Sequence, residues 1–362
     1  MLKYSLNLGR VFGIKLQVHW TFLLLIGWLV FSGIDRGDTT IAILWNICFV
    51  LSIFACVVLH ELGHSLTARR YGISTRKITL LPIGGLAGLE RIPEEPKKEL
   101  LVAVAGPAVN VVIAALLWIV VPVENFMGQG PGALSRVNSN NFLFLLLSAN
   151  VVLVIFNAIP AFPMDGGRVL RALLAMKMNR VKATQIASGL GQLLALGFFF
   201  FGLLYNPFLV LIAIFVYFGA RSESMMVQNM ALLRGYQVQD AMMTSFTSLS
   251  PHDTLDEVVN KMLAGPDNDL VVEQNEQVLG VVTRAHLLKV LKEAENRQIP
   301  VSAFMEKDFE AVNENSNLTD LYNYSQRKRK SFFPVLKNHQ LAGVINIDKI
   351  NEFLLIRSSL QY

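Results

Sequence analysis

IAILWNICFVLSIFACVVLHELGH, residues 41–64, decides how this chain is read. Residues 41–59 contain no Asp, Glu, Lys or Arg, and His60-Glu61-Leu62-Gly63-His64 follows directly. About 20 apolar residues cross the hydrocarbon core as a helix, so the stretch predicts a membrane span. Histidines four residues apart share one helix face and suit a single metal ion. Glu61, beside the first histidine, is then placed as general base on a metal-bound water. Ionisable groups at membrane depth are expensive and mark function. The expectation is a hydrolytic metal site inside a lipid bilayer.

The rest of the chain fits a membrane protein. Its 362 residues are 53% hydrophobic and 16% charged, whereas soluble domains average about a quarter charged. The net charge of +5 is modest and no nucleic-acid partner is expected. Cys48 and Cys56 lie on one predicted helix about 12 Å apart, too far for a disulfide. Neither has zinc-ligand spacing, so both read as packing residues. The first apolar stretch is long and lacks a small-residue cleavage site, which reads as a retained span.

Spans are expected near residues 18–34, 41–68, 100–123, 142–159, 187–205 and 207–220. Basic residues mark the cytoplasmic side. Lys3, Arg10 and Lys15 precede span one; Arg69, Arg70, Arg76, Lys77, Arg91, Lys97 and Lys98 lie between spans two and three. Arg168, Arg171, Lys177, Arg180 and Lys182 lie between spans four and five, and Arg221 and Arg234 follow span six. The opposite loops carry only Arg36 and Arg136. The fold class expected is a polytopic α-helical membrane protein of about six transmembrane helices, with both termini cytoplasmic and a soluble α/β tail. His60 and His64 then lie near the cytoplasmic end of span two. Residues 73–89 are not a span. They read as short strands or a re-entrant loop, including the Gly-rich Ile83 to Leu89 stretch, either an ordinary hairpin or an edge for an extended substrate.

A catalytic zinc needs three protein ligands and one open position. The third must come from the depth of His60 and His64. Asp165 follows span four, which also ends at the cytoplasmic side. Pro160 and Pro163 break the helix before it. Asn157 has two readings, a hold on substrate backbone or developing oxyanion and a helix–helix hydrogen bond. Asn110, in Gly106-Pro107-Ala108-Val109-Asn110, is read as a substrate or oxyanion contact near the site or as packing. His19, beside Trp20, reads as an interfacial anchor. In the expected reaction Glu61 deprotonates the water, which attacks a peptide carbonyl, and returns the proton to the leaving amine.

At these residues the chain resembles the site-2 protease family of intramembrane zinc metalloproteases. The matching motifs are His60-Glu61-Leu62-Gly63-His64, the Asn157/Pro160/Met164-Asp165-Gly166 segment, Gly106-Pro107-x-x-Asn110, and Gly84 to Gly88. Met164 stands where many members have Leu. The resemblance covers residues 1–225 and implies one Zn2+ per chain on His60, His64 and Asp165, with Glu61 as catalytic base. It also implies cleavage of membrane-spanning protein substrates to release a signalling fragment.

After about residue 235 the chain becomes charged and soluble in character. Residues 238–291 align with 301–354 at a constant offset of 63, matching Met242 to Met305, Leu255 to Leu318 and Gly280 to Gly343. Each unit reads strand–helix–strand–strand–helix and is too small to bury its own core well. This repeat resembles a pair of cystathionine-β-synthase (CBS) regulatory domains. Residues 226–237 are the linker, 238–296 the first repeat and 297–362 the second. The resemblance implies an adenine nucleotide held at Thr283 and Asp348, and a homodimer through the pair. The chain departs from the family's Gly-x-x-Thr/Ser-x-x-Asp stretch, with His286 for Asp in the first repeat and Asn346 and Lys349 in the second. A structural or dimerising role is therefore the alternative. Arg327-Lys328-Arg329-Lys330 reads as a solvated charge run or an anion-attracting patch. Two rivals to the enzyme are a catalytically silent membrane regulator and a metal transporter using the same three side chains.

Overall fold

The computed structural model describes residues 5–82, 84–89, 93–126, 136–293 and 296–360. Lys3, Ile83 and Arg91, which entered the sequence reading, lie outside them. The chain divides into two compact units, Met1–Val227 and Gln228–Tyr362.

The first unit opens with a hairpin of β1 (Ser5–Val11) and β2 (Ile14–His19), followed by α1 (Thr21–Asp35) and α2 (Thr40–Arg69). β3 (Thr75–Leu81) and β4 (Gly84–Leu89) follow, and the four strands form one sheet in chain order. β2 and β3 pair in parallel, while the outer pairs are antiparallel. Then come α3 (Pro96–Val120), α4 (Phe142–Ala158), α5 (Asp165–Ala175), α6 (Arg180–Tyr205) and α7 (Pro207–Leu233). Helices α2, α3, α6 and α7 are long and apolar enough to cross a membrane, and α1 and α4 are shorter apolar helices.

Helix ends differ from the apolar runs for a local reason. α6 starts at Arg180, seven residues ahead of the expected span, because Asn179 caps it by accepting from the Lys182 amide. α7 continues past residue 220 to Leu233. Hydropathy marks the lipid-facing length of a helix, while caps and breakers set its backbone length. α5 escaped the hydropathy reading because it is amphipathic, with Asp165, Gly166, Gly167, Arg171 and Ala172 buried.

The sheet packs on α2. Ile14 of β2, Ile78 of β3 and Leu62 of α2 form a small core. Since successive helix residues point about 100° apart, a Leu62 face committed to the sheet turns His60 and His64 elsewhere.

The second unit holds the two repeats. β5 (Ser248–Leu249), α8 (Leu255–Ala264), β6 (Asp269–Gln274), β7 (Gln277–Thr283) and α9 (Arg284–Glu293) form the first. A short α10 (Val301–Phe304) leads to β8 (Val312–Asn313), α11 (Leu318–Lys328), β9 (Phe332–Lys337), β10 (Gln340–Asn346) and α12 (Ile347–Ser359). The lead segments are exchanged. Val301 sits in the core of the first repeat with Leu255 and Leu270, and Val238 in that of the second with Leu318 and Phe333. The two sheets meet through Val271, Val281, Phe332 and Val344. Exchange explains the matched glycines: a Cβ on Gly280 would lie 2.9 Å from Met305 Sδ, and one on Gly343 2.6 Å from the Met243 carbonyl.

Candidate metal centre

Three elements bring the site together. α2 supplies His60 and His64, both buried, and α5 begins on buried Asp165. α4 ends at Ala158, and Met164 is the extended residue before α5. The chain therefore turns back at the prolines and presents Asp165 in a first helical turn. His60 Nε2, His64 Nε2 and Asp165 Oδ2 are each 3.1 Å from the other two. Among the described residues, these three form the one cluster of His, Cys, Asp or Glu able to share a metal ion.

The tautomers follow from the neighbours. His64 Nδ1 lies 2.7 Å from the Val102 carbonyl, which only accepts, so Nδ1 carries the proton. His60 Nδ1 lies 2.5 Å from Asn110 Oδ1, while Asn110 Nδ2 donates to Asn150 Oδ1 at 2.9 Å. Asn150 Nδ2 donates in turn to the Leu146 carbonyl at 2.8 Å and lies 3.5 Å from Cys56 Sγ. Both asparagines are fully buried. With both Nδ1 atoms donating, both neutral imidazoles point unprotonated Nε2 lone pairs at the carboxylate oxygen. Three acceptors thus converge without a hydrogen between them, an arrangement that calls for a cation or for protonated rings. Ligands about 2.0–2.2 Å from a tetrahedral zinc stand roughly 3.3–3.6 Å apart, so the observed triangle is slightly tight for zinc and of the right size and chemistry.

Glycine makes the space. A Cβ on Gly106 of α3 would stand 2.1 Å from His64 Nε2 and 2.7 Å from His60 Nε2, and one on Gly63 would stand 2.7 Å from the Ala105 carbonyl. Glu61 points toward the sheet: a Cβ on Gly85 of β4 would meet its Cγ at 2.8 Å and its Oε1 at 3.3 Å. Asn157 donates through Nδ2 to the Leu153 carbonyl of its own helix at 3.0 Å. His19 is buried, with Nδ1 2.8 Å from Thr21 Oγ1. Asn150 and the Val102 carbonyl are the two site groups that no sequence motif marks. Asn150 is an amide within the apolar run 142–159, which is a signal, whereas a backbone carbonyl leaves no residue-type signal.

In the tail, Thr283 Oγ1 donates to Glu306 Oε2 at 2.7 Å, and His286 Nε2 donates to the Phe304 carbonyl at 2.7 Å. Asp348 lies in the first turn of α12, where Asn346 is the cap. Burial holds the Asp269 carboxyl above its ordinary range; the nearby Asp348 and Glu306 carboxylates add to the effect, and the Arg284 amide opposes it. Lys330 of the basic run pairs with Asp308 and Glu310.

The profile of peptidase family M50 matches residues 48–130 and 121–198, and that of the CBS domain matches residues 238–293. The zinc metalloprotease MJ0392 of Methanocaldococcus jannaschii is 34% identical over 95% of this chain and 94% of its own length. Stage IV sporulation protein FB of Bacillus subtilis is 27% identical over 38% of this chain and 44% of its own length. The solved site-2 protease from Methanocaldococcus jannaschii is 40% identical, covering 61% of this chain and 95% of that one, with a TM-score of 0.45. The chain belongs to peptidase family M50, the site-2 protease family of zinc metalloproteases, and carries a C-terminal CBS domain pair. It is an integral membrane metalloprotease.

Two outcomes follow. Gly106→Ala places a methyl against both imidazoles and weakens zinc binding at least about tenfold in chelator competition, the scale of metal-shell lesions. Asp269 has a raised folded-state pKa, so its protonated form favours the fold and the stability it lends is lost as pH rises through that pKa. Asp269→Asn, which keeps the acceptor for the Arg284 amide, therefore raises the melting temperature of the tail at pH 7.5. The gain shrinks toward zero near pH 4 in melts across pH.

Proposed function

We propose that this chain is an intramembrane endopeptidase that cuts membrane-spanning segments of protein substrates near the cytoplasmic face, with both of its own termini in the cytoplasm. His60, His64 and Asp165 hold one zinc ion and Glu61 is the general base. The observation that carries this reading is the convergence of three buried acceptors at 3.1 Å on an apolar helix, with a glutamate next to them in sequence. Zinc, when bound there, polarises the scissile carbonyl and acidifies the attacking water.

The chain's own residues do the rest. Glu61 takes the proton of the water and returns it to the leaving amine. The Asn110 oxygen and the Val102 carbonyl keep the two imidazoles in the ligating tautomer. Peptide bonds of a transmembrane helix are already hydrogen-bonded, so the substrate must unwind before attack. β4 supports this step: among the described residues it pairs with β3 alone, and it runs past Glu61 at Gly85. Its other edge suits an extended substrate strand. Asn157 is the group for the substrate backbone or the developing oxyanion. Transport needs polar groups at several depths, and a single ligating cluster among the described residues favours hydrolysis.

The CBS pair regulates this activity and dimerises, and exposed Leu288 on α9 and Leu355 on α12 are available for a second copy. An adenine nucleotide at Thr283 and Asp348 is the effector that family likeness offers. Against it stand the engaged Thr283 hydroxyl and the grouped carboxylates of Asp269, Glu306 and Asp348, which repel phosphate. The contacts favour the dimerising role.

Glu61→Gln in the native membrane decides the enzyme reading. The variant keeps zinc and loses cleavage by about 10²–10⁴-fold, and single-span proteins accumulate in membrane proteomics against wild type. Unchanged substrate levels with the amide in place contradict it.

A further inference from the structure

We propose that Arg171 is a positioning residue for the metal centre: buried between Glu99 and Glu223, it sets the depth of Asp165 against the two histidines. The inference rests on the zinc reading above and concerns residues that touch neither metal nor substrate.

Arg171 is completely buried on α5. Its Nε donates to Glu99 Oε1 at 2.7 Å, and Nη2 lies 2.5 Å from the same oxygen. Nη1 donates to Glu223 Oε1 of α7 at 2.5 Å. The guanidinium also stacks over the Phe162 ring, 4.9 Å from its centroid. Arg180, at the start of α6, lies 3.3 Å from the other oxygen of Glu99 and donates to the Pro93 carbonyl at 2.8 Å. Two cations and two carboxylates therefore balance, and four helices meet in one charge network.

Position gives the network its meaning. Glu99 lies on α3 with Val102, Gly106 and Asn110, at steps of three, four and four residues. That spacing is one helix face. The same face bonds His64 through Val102, makes room for both imidazoles at Gly106, and bonds His60 through Asn110. α3 thus holds the two imidazoles, whereas α5 carries the carboxylate. Arg171 stands six residues along α5 from Asp165, about 9 Å, and Glu99 stands seven residues along α3 from Gly106, about 10.5 Å. The ion pair joins the two helices at matching distances from the site, so a slip of either helix moves Asp165 off the triangle. A guanidinium spans two carboxylates in a fixed fork, which an ammonium does not. The orientation of metal ligands by such outer groups is worth about 10–100-fold in affinity.

The test uses the full chain in lipid nanodiscs, with three readouts: zinc affinity by chelator competition, the visible absorption spectrum of the Co2+ form, and the melting temperature of the metal-free protein. Arg171→Gln leaves buried Glu99 with Arg180 alone and takes the guanidinium from Glu223, and is expected to melt lower. Two further variants separate positioning from folding. Glu99→Gln with Arg171→Gln removes one charge of each sign, and Arg171→Lys keeps the buried cation but loses the fork. Both are expected to melt near wild type, to bind zinc about 10–100-fold more weakly and to change the Co2+ band intensities, with the lysine variant the milder of the two. Wild-type affinity and an unchanged Co2+ spectrum in the lysine and double variants overturn the inference and leave Arg171 a packing residue. A wild-type protein that binds no zinc overturns the metal reading itself, and the inference with it.

Discussion

Two imidazole nitrogens and one carboxylate oxygen meet 3.1 Å apart in a buried space, each with a lone pair facing the others. Left to itself such a meeting is repulsive, and the surrounding structure supplies the constraint. Removing the Asn110 amide would leave the Asn150 oxygen and the His60 Nδ1 proton short of partners, at about 1–3 kcal/mol for each buried group. Removing one side of the Arg171–Glu99 pair would leave a buried network with one counter-charge too few, a lesion that for an isolated buried pair costs about 3–5 kcal/mol. These polar commitments are affordable in a membrane protein only because each is satisfied within the helix bundle.

α3 is the element through which the constraint acts. One of its faces carries a carboxylate, a ligand-orienting carbonyl, a glycine and an amide in sequence, and each meets a different part of the site. α2 is held on the opposite side by the sheet through Leu62. The sheet in turn brings β4 past Glu61. Fold and chemistry are linked by helix faces: Leu62 for the sheet, His60 and His64 for α3 and α5, and Glu61 for the strand.

Much of this could be read from residues alone, and the exceptions share a cause. His60, Glu61 and His64 declared themselves because ionisable groups stood beside an uncharged run. Asp165 is expected from charge bias and from the need for a third ligand at the same depth, and its carboxylate lies 3.1 Å from each imidazole. The 63-residue repeat made the tail's architecture legible, including strands at 270–272 and 332–336 that the structure extends by a residue or two at some ends. What escaped were α5, whose amphipathic pattern is not a hydropathy signal, and the β1–β2 hairpin, whose partner strand lies 62 residues on, Lys15 facing Lys77. The Glu99–Arg171 pair also escaped, because opposite charges 72 residues apart have no period to reveal them. Thr283, the residue that family likeness offers to a nucleotide, has its hydroxyl on Glu306, a partner 23 residues away that no motif marks.

X-ray absorption at the zinc edge of the purified full-length protein tests the central claim most directly. The account predicts one zinc per chain in a shell of nitrogen and oxygen only, with outer-shell scattering from two imidazoles, and loss of that signal in Asp165→Ala. A sulfur ligand from Cys48 or Cys56, a single imidazole, or stoichiometric zinc that survives the loss of Asp165 unchanged would contradict it.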